Sequence, residues 1–271
     1  MEIVNFPGLG ITFQFSKIAF KIFGIEVYKY AVCIVLGILV ALLLARLSKK
    51  KFDVDFSFTL EASIFAIIFG TIGARLYYVL FNLSYYTKNP KDILNFRYGG
   101  LAIYGGLIFG GLAVYIYTKL RKKNTLDLLD FVVPFVAIAQ CIGRFGNFFN
   151  IEAYGYETKS FLRMGIEGTA GRIEVHPMFL YEAIIDLAIF IILKTLQDKR
   201  AFKGEILLLY CIIYSGFRAI LEGFRTDSLM LGNLRISQIL SIVIFVVSVV
   251  LFIINIRKVK CEKKETNTEK V

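Results

Sequence analysis

Charged side chains interrupt the apolar stretches of this sequence, and they are the residues best placed to do chemistry. Tyr214, Arg218, Glu222 and Arg225 are spaced four, four and three residues apart. On a helix these spacings place all four side chains on one face. Such a face is too polar to contact acyl chains, so we expect it to line a bundle interior or a wet cavity. A structural Arg218–Glu222 pair is the simpler alternative, but it leaves Tyr214 and Arg225 unexplained.

A second polar group ends another apolar stretch, in the segment GRFGNFFNIEAYG at 143–155. Arg144 and Asn147 lie about one helical turn apart and share a face, and Glu152 follows where the helix should end. A guanidinium binds phosphate oxygens bidentately and keeps its charge in an apolar site. With Arg218 as a second cation, this group predicts a site for an anionic phospholipid headgroup near the outer leaflet.

The remaining ionisable residues in apolar stretches need a partner or a task, because each costs roughly 2.5–3.5 kcal/mol to insert. We expect Glu182 and Asp186, four residues apart, to pair with interior arginines rather than act as an acid/base pair. His176 is the single histidine. It is either a residue at the start of a helix with its ring bonded to backbone, or a proton acceptor. With one histidine and no closely paired cysteines, we expect no metal site and no cofactor.

The elements that must position these side chains are long apolar stretches. Hydrophobic residues make up 57% of the 271 positions, and the mean hydropathy is +0.66. A bilayer core of about 30 Å requires about 20 apolar residues per helix. Seven stretches meet that requirement: 28–47, 57–81, 99–118, 128–149, 177–196, 205–222 and 236–256. This predicts an all-α membrane protein with about seven transmembrane helices.

The net charge of +11 is distributed as the positive-inside rule requires, and not as a nucleic-acid-binding surface. Basic clusters occupy alternate connections, which therefore face the cytoplasm. The N-terminus is then outside and the C-terminus is cytoplasmic. The clusters are Lys49–Lys51, Lys119 with Arg121–Lys123, Lys194 with Lys199, Arg200 and Lys203, and the tail from Arg257 onward.

Little of the chain remains outside the predicted spans. Residues 1–27 are expected to form an outer-face interfacial segment, in which 11–27 is either a short strand or a stretch lying on the membrane surface. The membrane domain covers 28–256 and includes an outer arm at 82–98 and a small outer cap at 150–176. The basic tail at 257–271 is expected to be disordered. Gly106 and Gly110 predict close helix packing, whereas the glycines between Gly99 and Gly106 flank Tyr104 and are assigned to the site.

The segment GRFGNFFNIEAYG closely resembles the signature of the bacterial prolipoprotein diacylglyceryl transferases. The pattern G-R-x-G/A-N-F-x-N-x-E-x-x-G is met at every specified position, from Gly143 to Gly155. Four other segments are similar to the same family in the same order, so the resemblance covers nearly the whole chain. They are GARLYYVLFN (73–82), GGLAIYGGLIFGG (99–111), HPMFLYEA (176–183) and YSGFRAILEGFR (214–225).

This resemblance implies a seven-helix membrane body with an outer cap and a specific activity. Members transfer a diacylglyceryl group from phosphatidylglycerol to the thiol of a lipobox cysteine in the signal peptide of a prolipoprotein, and glycerol phosphate leaves. The reaction takes place at the outer face of the bacterial cytoplasmic membrane. The implied partners are therefore phosphatidylglycerol, the prolipoprotein lipobox and the lipid bilayer, without nucleic acid.

The resemblance also implies roles for individual residues. Arg144 and Arg218 would be catalytic, with Arg144 and Asn147 holding the headgroup and Tyr214 orienting Arg218. The other implied substrate-binding residues are Arg75, Glu152, Gly155, Glu222 and Arg225.

One position departs from the common family pattern. Many members have a histidine, assigned as the catalytic base, where this chain has Tyr104. A neutral tyrosine is a poor base near pH 7 but a good hydrogen-bond donor. We therefore expect Tyr104 to be a third catalytic residue that orients a group or donates a hydrogen bond, with simple packing as the alternative, and His176 remains a possible base.

Two other functions are compatible with interior arginines. A transporter for an anionic solute would usually have inverted halves with broken helices, and the sequence has no matching halves. A phospholipid acyltransferase would usually require a histidine–carboxylate pair, for which His176 is the one available histidine.

Overall fold

The computed structural model describes residues 1–49, 51–95, 99–168, 171–228, 230–232 and 234–268. Parts of four predicted segments lie outside these ranges: Lys50, 96–98 of the arm, 169–170 of the cap and 269–271 of the tail. The strands in the described residues are β1 (Glu2–Phe6), β2 (Ile11–Phe15), β3 (Ile18–Ile22), β4 (Ile25–Tyr28), β5 (Met164–Gly168), β6 (Gly171–Val175), β7 (Met230–Leu231) and β8 (Leu234–Arg235). The α-helices are α1 (Lys29–Leu47), α2 (Phe56–Phe81), α3 (Leu83–Tyr86), α4 (Ile103–Leu120), α5 (Thr125–Asn150), α6 (Met178–Leu196), α7 (Glu205–Leu221) and α8 (Ile236–Thr268).

Each of the seven predicted spans is a helix, which confirms a multi-pass helical membrane protein. Within the described ranges, six helices are long and apolar enough to cross a membrane: α1, α2, α4, α5, α7 and α8. Helix α6 has 19 residues and is not one of these six, because it contains three charged residues, Glu182, Asp186 and Lys194. The one predicted span that is missing from these six is therefore α6, which carries two of the interior carboxylates.

The prediction of a disordered tail is wrong for the described residues beyond Arg257. Helix α8 continues to Thr268. The sequence from 257 to 268 contains neither glycine nor proline and is rich in lysine and glutamate, which are good helix formers. A helix that leaves the apolar region therefore has no local reason to stop there.

The chain divides into two compact units. The first unit comprises residues 1–47 and 132–271, and the second comprises residues 48–131. The first unit contains a four-stranded antiparallel sheet of order β2-β1-β5-β6. Strands of the predicted outer segment (1–27) and of the predicted cap (150–176) therefore belong to one sheet. Apolar side chains from the sheet, α5 and α6 form its core: Val4, Phe6, Phe15, Phe148, Met164, Ile166, Val175 and Phe179.

Helices α5, α6 and α7 pack together in the first unit and position the candidate site. One buried apolar cluster contains Val133 and Ala137 of α5, Ile189 and Leu193 of α6, and Ile206 of α7. This cluster lies away from the polar residues, which are nearer the C-terminal ends of α5 and α7 and the N-terminal end of α6. The apolar cluster thus fixes the three helices and leaves their charged ends facing one another.

Helices α2 and α4 pack closely in the second unit. A Cβ atom added to Gly70 of α2 would lie 3.2 Å from the carbonyl oxygen of Gly106, and one on Gly110 would lie 3.2 Å from that of Ala66. These distances leave little room for a side chain. The predicted packing role of Gly106 and Gly110 is therefore confirmed.

Candidate functional site

Three helices of the first unit bring together most of the predicted site residues. Helix α5 contributes Arg144, and α6 contributes Glu182 and Asp186. Helix α7 contributes Tyr214 and Arg218, and the turn that follows contributes Glu222 and Arg225. The carboxylates are almost completely buried: relative exposures are 4% for Glu182, 1% for Asp186 and 2% for Glu222.

Glu182 lies at the centre of this cluster and contacts three arginines. Its Oε1 accepts a hydrogen bond of 2.5 Å from Nη1 of Arg218 and lies 3.8 Å from Nη1 of Arg225. Its Oε2 lies 2.9 Å from Nη1 of Arg144. That second contact is ionic rather than an aligned hydrogen bond, since Oε2 accepts none from the described residues. One carboxylate therefore bridges guanidiniums from α5 and α7.

The other carboxylates each hold a single arginine. Asp186 Oδ2 lies 3.4 Å from Nε of Arg144, and Glu222 Oε2 lies 2.6 Å from Nη2 of Arg218. These contacts confirm that Glu182 and Asp186 are partners of interior arginines. They also show the Arg218–Glu222 pair that was the structural alternative, within a larger network rather than alone.

Arg225 has its strongest contacts outside the network. Its Nε and Nη2 donate to Asp227 at 3.0 and 2.9 Å. Burial lowers the pKa of Arg225, but Asp227, Glu182 and Glu222 together raise it above its ordinary value. Sequence reasoning missed Asp227, although an acid two residues after an arginine was an available signal.

Tyr214 contacts a different arginine from the one expected. Its hydroxyl accepts a hydrogen bond of 3.2 Å from Nη2 of Arg144, so the described contacts do not include the expected one with Arg218. Tyr210 stacks on Tyr214 with ring centroids 5.5 Å apart and donates 2.8 Å to Gln140. Helical spacing predicted the shared face of Tyr214 and Arg218, but a tyrosine is long enough to reach the neighbouring helix instead.

The cluster encloses very little space. A cavity of about 10 Å³ lies between the arginines and carboxylates, which is room for about one water molecule. It is lined by Arg144, Glu182, Ile185, Asp186, Tyr214, Phe217, Arg218 and Leu221. A phosphate group therefore enters this arginine pocket only if a side chain moves.

The other signature residues tie the end of α5 to neighbouring loops. Asn147 Nδ2 donates 3.0 Å to Glu152 Oε1. The amide of Gly155 donates 3.0 Å to the carbonyl of His176, and Gly155 pairs with Arg225 in an antiparallel bridge. A Cβ atom on Gly155 would lie 2.7 Å from that of His176, so this position excludes any side chain.

His176 lies at the start of α6, as expected, but its ring has a side-chain partner. Its Nδ1 is 3.2 Å from the hydroxyl of Tyr181, and its ring meets that of Phe224 edge-on at 6.0 Å. Its backbone amide donates to the carbonyl of Tyr156 at 3.0 Å. The residue thus joins the loop after α5 to the loop after α7.

Arg235 makes a related link that the sequence did not signal. Its Nη1 donates to the carbonyl of Glu222, and its Nη2 donates 2.6 Å to the hydroxyl of Tyr156. Nothing in its sequence context predicts these partners, because both lie on separate segments that only the fold brings close.

Arg75 lies in the second unit and uses all of its donors on backbone carbonyls. Its Nε bonds to Ile93, its Nη1 to Gly99 and Gly100, and its Nη2 to Asp92 and Asn95, at 2.6–3.0 Å. A guanidinium has five N–H donors, so each one has its own acceptor here. This arrangement holds the chain just before α4 and leaves no N–H for a substrate.

Gly99 and Gly100 have the backbone conformations that Arg75 requires. Both have positive φ values, of 81° and 77°, which glycine adopts without steric cost. Their carbonyls thereby point at the same guanidinium nitrogen. Tyr104 follows in the first turn of α4, and the amide of Ala102 donates 3.0 Å to the carbonyl of Ala74 in α2. Gly99 and Gly100 therefore shape the backbone that leads into α4.

Comparisons with known proteins identify the family of this chain. The family model described as prolipoprotein diacylglyceryl transferase matches residues 17–254. A phosphatidylglycerol–prolipoprotein diacylglyceryl transferase of Clostridium novyi (strain NT) is 45% identical over 248 residues, covering 88% of this chain and 95% of the relative. Proteins of the same name from Clostridioides difficile (strain 630) and Enterococcus faecalis (strain ATCC 700802 / V583) are each 43% identical, covering 84% and 95% of this chain and 90% and 98% of theirs. A membrane chain with a cluster of partly buried arginines, matched over most of its length, thus belongs to the prolipoprotein diacylglyceryl transferase family.

Proposed function

We propose that this protein transfers the diacylglyceryl group of phosphatidylglycerol to the thiol of a lipobox cysteine in a prolipoprotein, the first step of lipoprotein maturation. The observation that carries the proposal is the convergence of Arg144, Arg218 and Arg225 on one buried carboxylate. Paired guanidiniums at membrane depth are suited to bind an oxyanion. The relatives' names supply the reaction.

The chemistry fits a site without a protein nucleophile. The attacking atom is the sulfur of the substrate cysteine, and the thiolate is the reactive form. A carbon–sulfur bond forms to the terminal glycerol carbon of the diacylglyceryl group, and the bond from that carbon to the phosphate oxygen breaks. Negative charge then grows on the departing glycerol phosphate. Arginines directed at that phosphate stabilise the transition state more than the ground state.

An apolar groove beside the arginine pocket favours a lipid donor over a soluble anion. The groove lies between α7 and α8 and has a volume of about 500 Å³. Phe217 lines both the groove and the arginine pocket. The other lining residues are Ile212, Ile213, Gly216, Ala219, Ile220, Ile242 and Phe245. An acyl chain of a lipid held by its phosphate can therefore continue directly into apolar surroundings.

The sheet supports placing the site towards the outer face of the cytoplasmic membrane. Strands β1 and β5 pair directly, so the segments 1–27 and 150–176 lie on the same side of the membrane. Four candidate spans separate them in the chain, namely α1, α2, α4 and α5, and an even number is what this requires. The basic clusters on the alternate connections favour the outside as that shared side.

Arg144 and Arg218 are the proposed catalytic cations because they hold the central carboxylate most closely. Tyr214 is proposed to orient Arg144, and Asn147, Glu152 and Arg225 remain proposed contributors to substrate binding. The family resemblance supports Tyr104 as an orienting or donating group. Arg75 and Gly155 act through the backbone segments that they hold.

The test is transfer by the purified protein. With phosphatidylglycerol and a lipobox-cysteine peptide, we expect a peptide mass increased by one diacylglyceryl group and an equal amount of glycerol phosphate. A site built around arginines should discriminate against a zwitterionic donor, so phosphatidylethanolamine is the comparison. Equal rates with the two lipids would remove the headgroup argument, and absence of transfer with phosphatidylglycerol would reject the proposed function.

A further inference from the structure

The arginine pocket already contains an anion, and that anion belongs to the protein. The two oxygens of Glu182 lie 2.5 and 2.9 Å from guanidinium nitrogens of Arg218 and Arg144. Two oxygens bridging two planar forks is also how a phosphate diester would sit between these arginines. The cavity of about 10 Å³ beside them does not admit a phosphate as well.

From this geometry we infer that Glu182 is a positioning residue that occupies the place of the lipid phosphate in the empty enzyme and leaves the arginines when the lipid binds. The inference rests on the proposed function and deepens it. Glu182 keeps two arginines of different helices in the spacing that a phosphate requires, so the site is organised before the substrate arrives.

Charge balance explains why the carboxylate must yield. Three arginines, Arg144, Arg218 and Arg225, face the buried carboxylates of Glu182, Asp186 and Glu222 and the partly exposed carboxylate of Asp227, so the formal charges leave no excess of positive charge. A phosphodiester adds one negative charge to a buried site that has no cation to spare among these groups. Neither Oε2 of Glu182 nor Oε2 of Glu222 accepts an aligned hydrogen bond from the described residues, and of these two carboxylates only that of Glu182 bridges two arginines. When phosphate oxygens replace the carboxylate of Glu182, the pair of Arg144 and Arg218 again has one anion between its two guanidiniums.

The same competition favours release of the product. Glycerol phosphate is a phosphate monoester and carries about −1.5 to −2 charges at pH 7, so it would bind the arginines tightly if nothing competed. The return of Glu182 to Arg144 and Arg218 displaces it. Glu182 thus lowers the affinity of the site for both substrate and product, and the weaker binding of product makes its release faster.

The test compares two isosteric changes on one helix. Glu182→Gln removes the bridging charge and keeps the side-chain shape. Asp186→Asn is the matched control, because Asp186 is equally buried, lies one turn away on α6 and contacts one arginine, at 3.4 Å. Glycerol 1-phosphate is the probe, measured as an inhibitor of transfer and, without turnover, by the rise in melting temperature that it causes in detergent.

We expect Glu182→Gln to bind glycerol 1-phosphate about tenfold more tightly or better, the scale of a charged hydrogen-bond competitor. The KM for phosphatidylglycerol should fall and kcat should fall with it, because product leaves slowly. Asp186→Asn should tighten probe binding by less than about threefold. A residue that only held the bundle together would lower thermal stability and would not increase affinity for an anion.

Unchanged or weaker probe binding by Glu182→Gln, with wild-type transfer intact, would overturn the inference and leave the proposed function standing. Equal tightening by Asp186→Asn would overturn it too, since the effect would then be one of net charge. If Glu182→Gln does not fold, Glu182→Asp replaces it: the shorter carboxylate cannot bridge both arginines and should give an intermediate gain in affinity. A wild-type enzyme that binds the probe but does not transfer would refute the function instead.

Discussion

The three arginines around Glu182 have the same formal charge but different sets of partners. Arg144 contacts Glu182, Asp186 and Tyr214, whereas Arg218 contacts Glu182 and Glu222. Arg225 has a bidentate pair with Asp227, which is 46% exposed. Arg225 therefore keeps its main partner when Glu182 moves, and the two remaining guanidiniums are the ones released to a substrate.

The first prediction concerns these two arginines. Arg144→Lys and Arg218→Lys keep the charge but lose the planar fork. If each fork grips charge that develops on the phosphate, each change should lower turnover by roughly 100-fold or more. Turnover is measured with phosphatidylglycerol and a lipobox peptide, together with the melting temperature in detergent.

Arg121→Lys provides the control for these substitutions. Arg121 also pairs with a carboxylate, Glu61, but in the second unit and with about half of its side chain exposed. Its turnover should stay near that of the wild type. Near-normal turnover per folded molecule in Arg144→Lys and Arg218→Lys would show that these arginines only hold the helices together.

The second prediction separates the two glycines that surround Arg75. Gly99→Ala places a side chain at positive φ in open space, which costs about 1–2 kcal/mol. Gly100→Ala adds a clash, because its Cβ atom would overlap Nη1 of Arg75 and the ring of Tyr78. Gly100→Ala should therefore lower the melting temperature clearly more than Gly99→Ala. Equal effects of the two changes would mean that Arg75 does not hold this segment in solution.

At the residue scale, sequence reasoning found side chains more reliably than their partners. Helical spacing placed Tyr214, Arg218 and Glu222 on one face, and all three line or adjoin the arginine pocket. Spacing could not decide which arginine Tyr214 contacts, because that depends on the side chain of a neighbouring helix. The role of Arg75 could not be predicted either. Its acceptors are backbone carbonyls of an irregular loop, and every residue type has such a carbonyl.

Among the elements, α7 and α8 form the groove that supports a lipid donor. The third prediction is that Gly216→Leu, which fills this groove, lowers the transfer rate from dipalmitoyl phosphatidylglycerol much more than from a dihexanoyl donor. Short chains do not extend far along the groove, so they should tolerate the change. The ratio of the two rates, measured in mixed micelles, is the readout.

Gly111→Leu is the matched control for the groove. A Cβ atom on Gly111 of α4 meets no other atom within 4 Å, so this change also adds a leucine to a lipid-exposed helix position. It should leave the ratio of the two rates as in the wild type. If Gly216→Leu changes both rates equally, the groove holds bulk lipid rather than the donor.

The apolar helices were predictable because each one carries its own signal. Their starts lie within about four residues of the predicted ones, since the length of an apolar run is set by the bilayer thickness. The sheet was not predictable to the same degree. Strand β1 pairs with β5 at Asn5 and Gly165, and a pairing so distant in the chain leaves no local pattern.

For the molecule as a whole, the fourth prediction concerns orientation. In a Cys261→Ser background, Lys159→Cys in the cap should react with an impermeant thiol reagent in intact cells, and Lys122→Cys should react after the membrane is opened. The reason is the basic bias of the alternate connections. Labelling of Lys122→Cys from outside would invert the topology and would place the sheet on the cytoplasmic side.

The pairing of β1 with β5 also sets an order of events during synthesis. Strand β1 is synthesised long before its neighbour in the sheet, β5, which begins at Met164. Four helices that are long and apolar enough to cross a membrane, α1, α2, α4 and α5, are made between these two strands. The hairpin of β1 and β2 therefore keeps one edge unpaired until α5 has been made. Completion of the sheet thus follows the synthesis of all four helices.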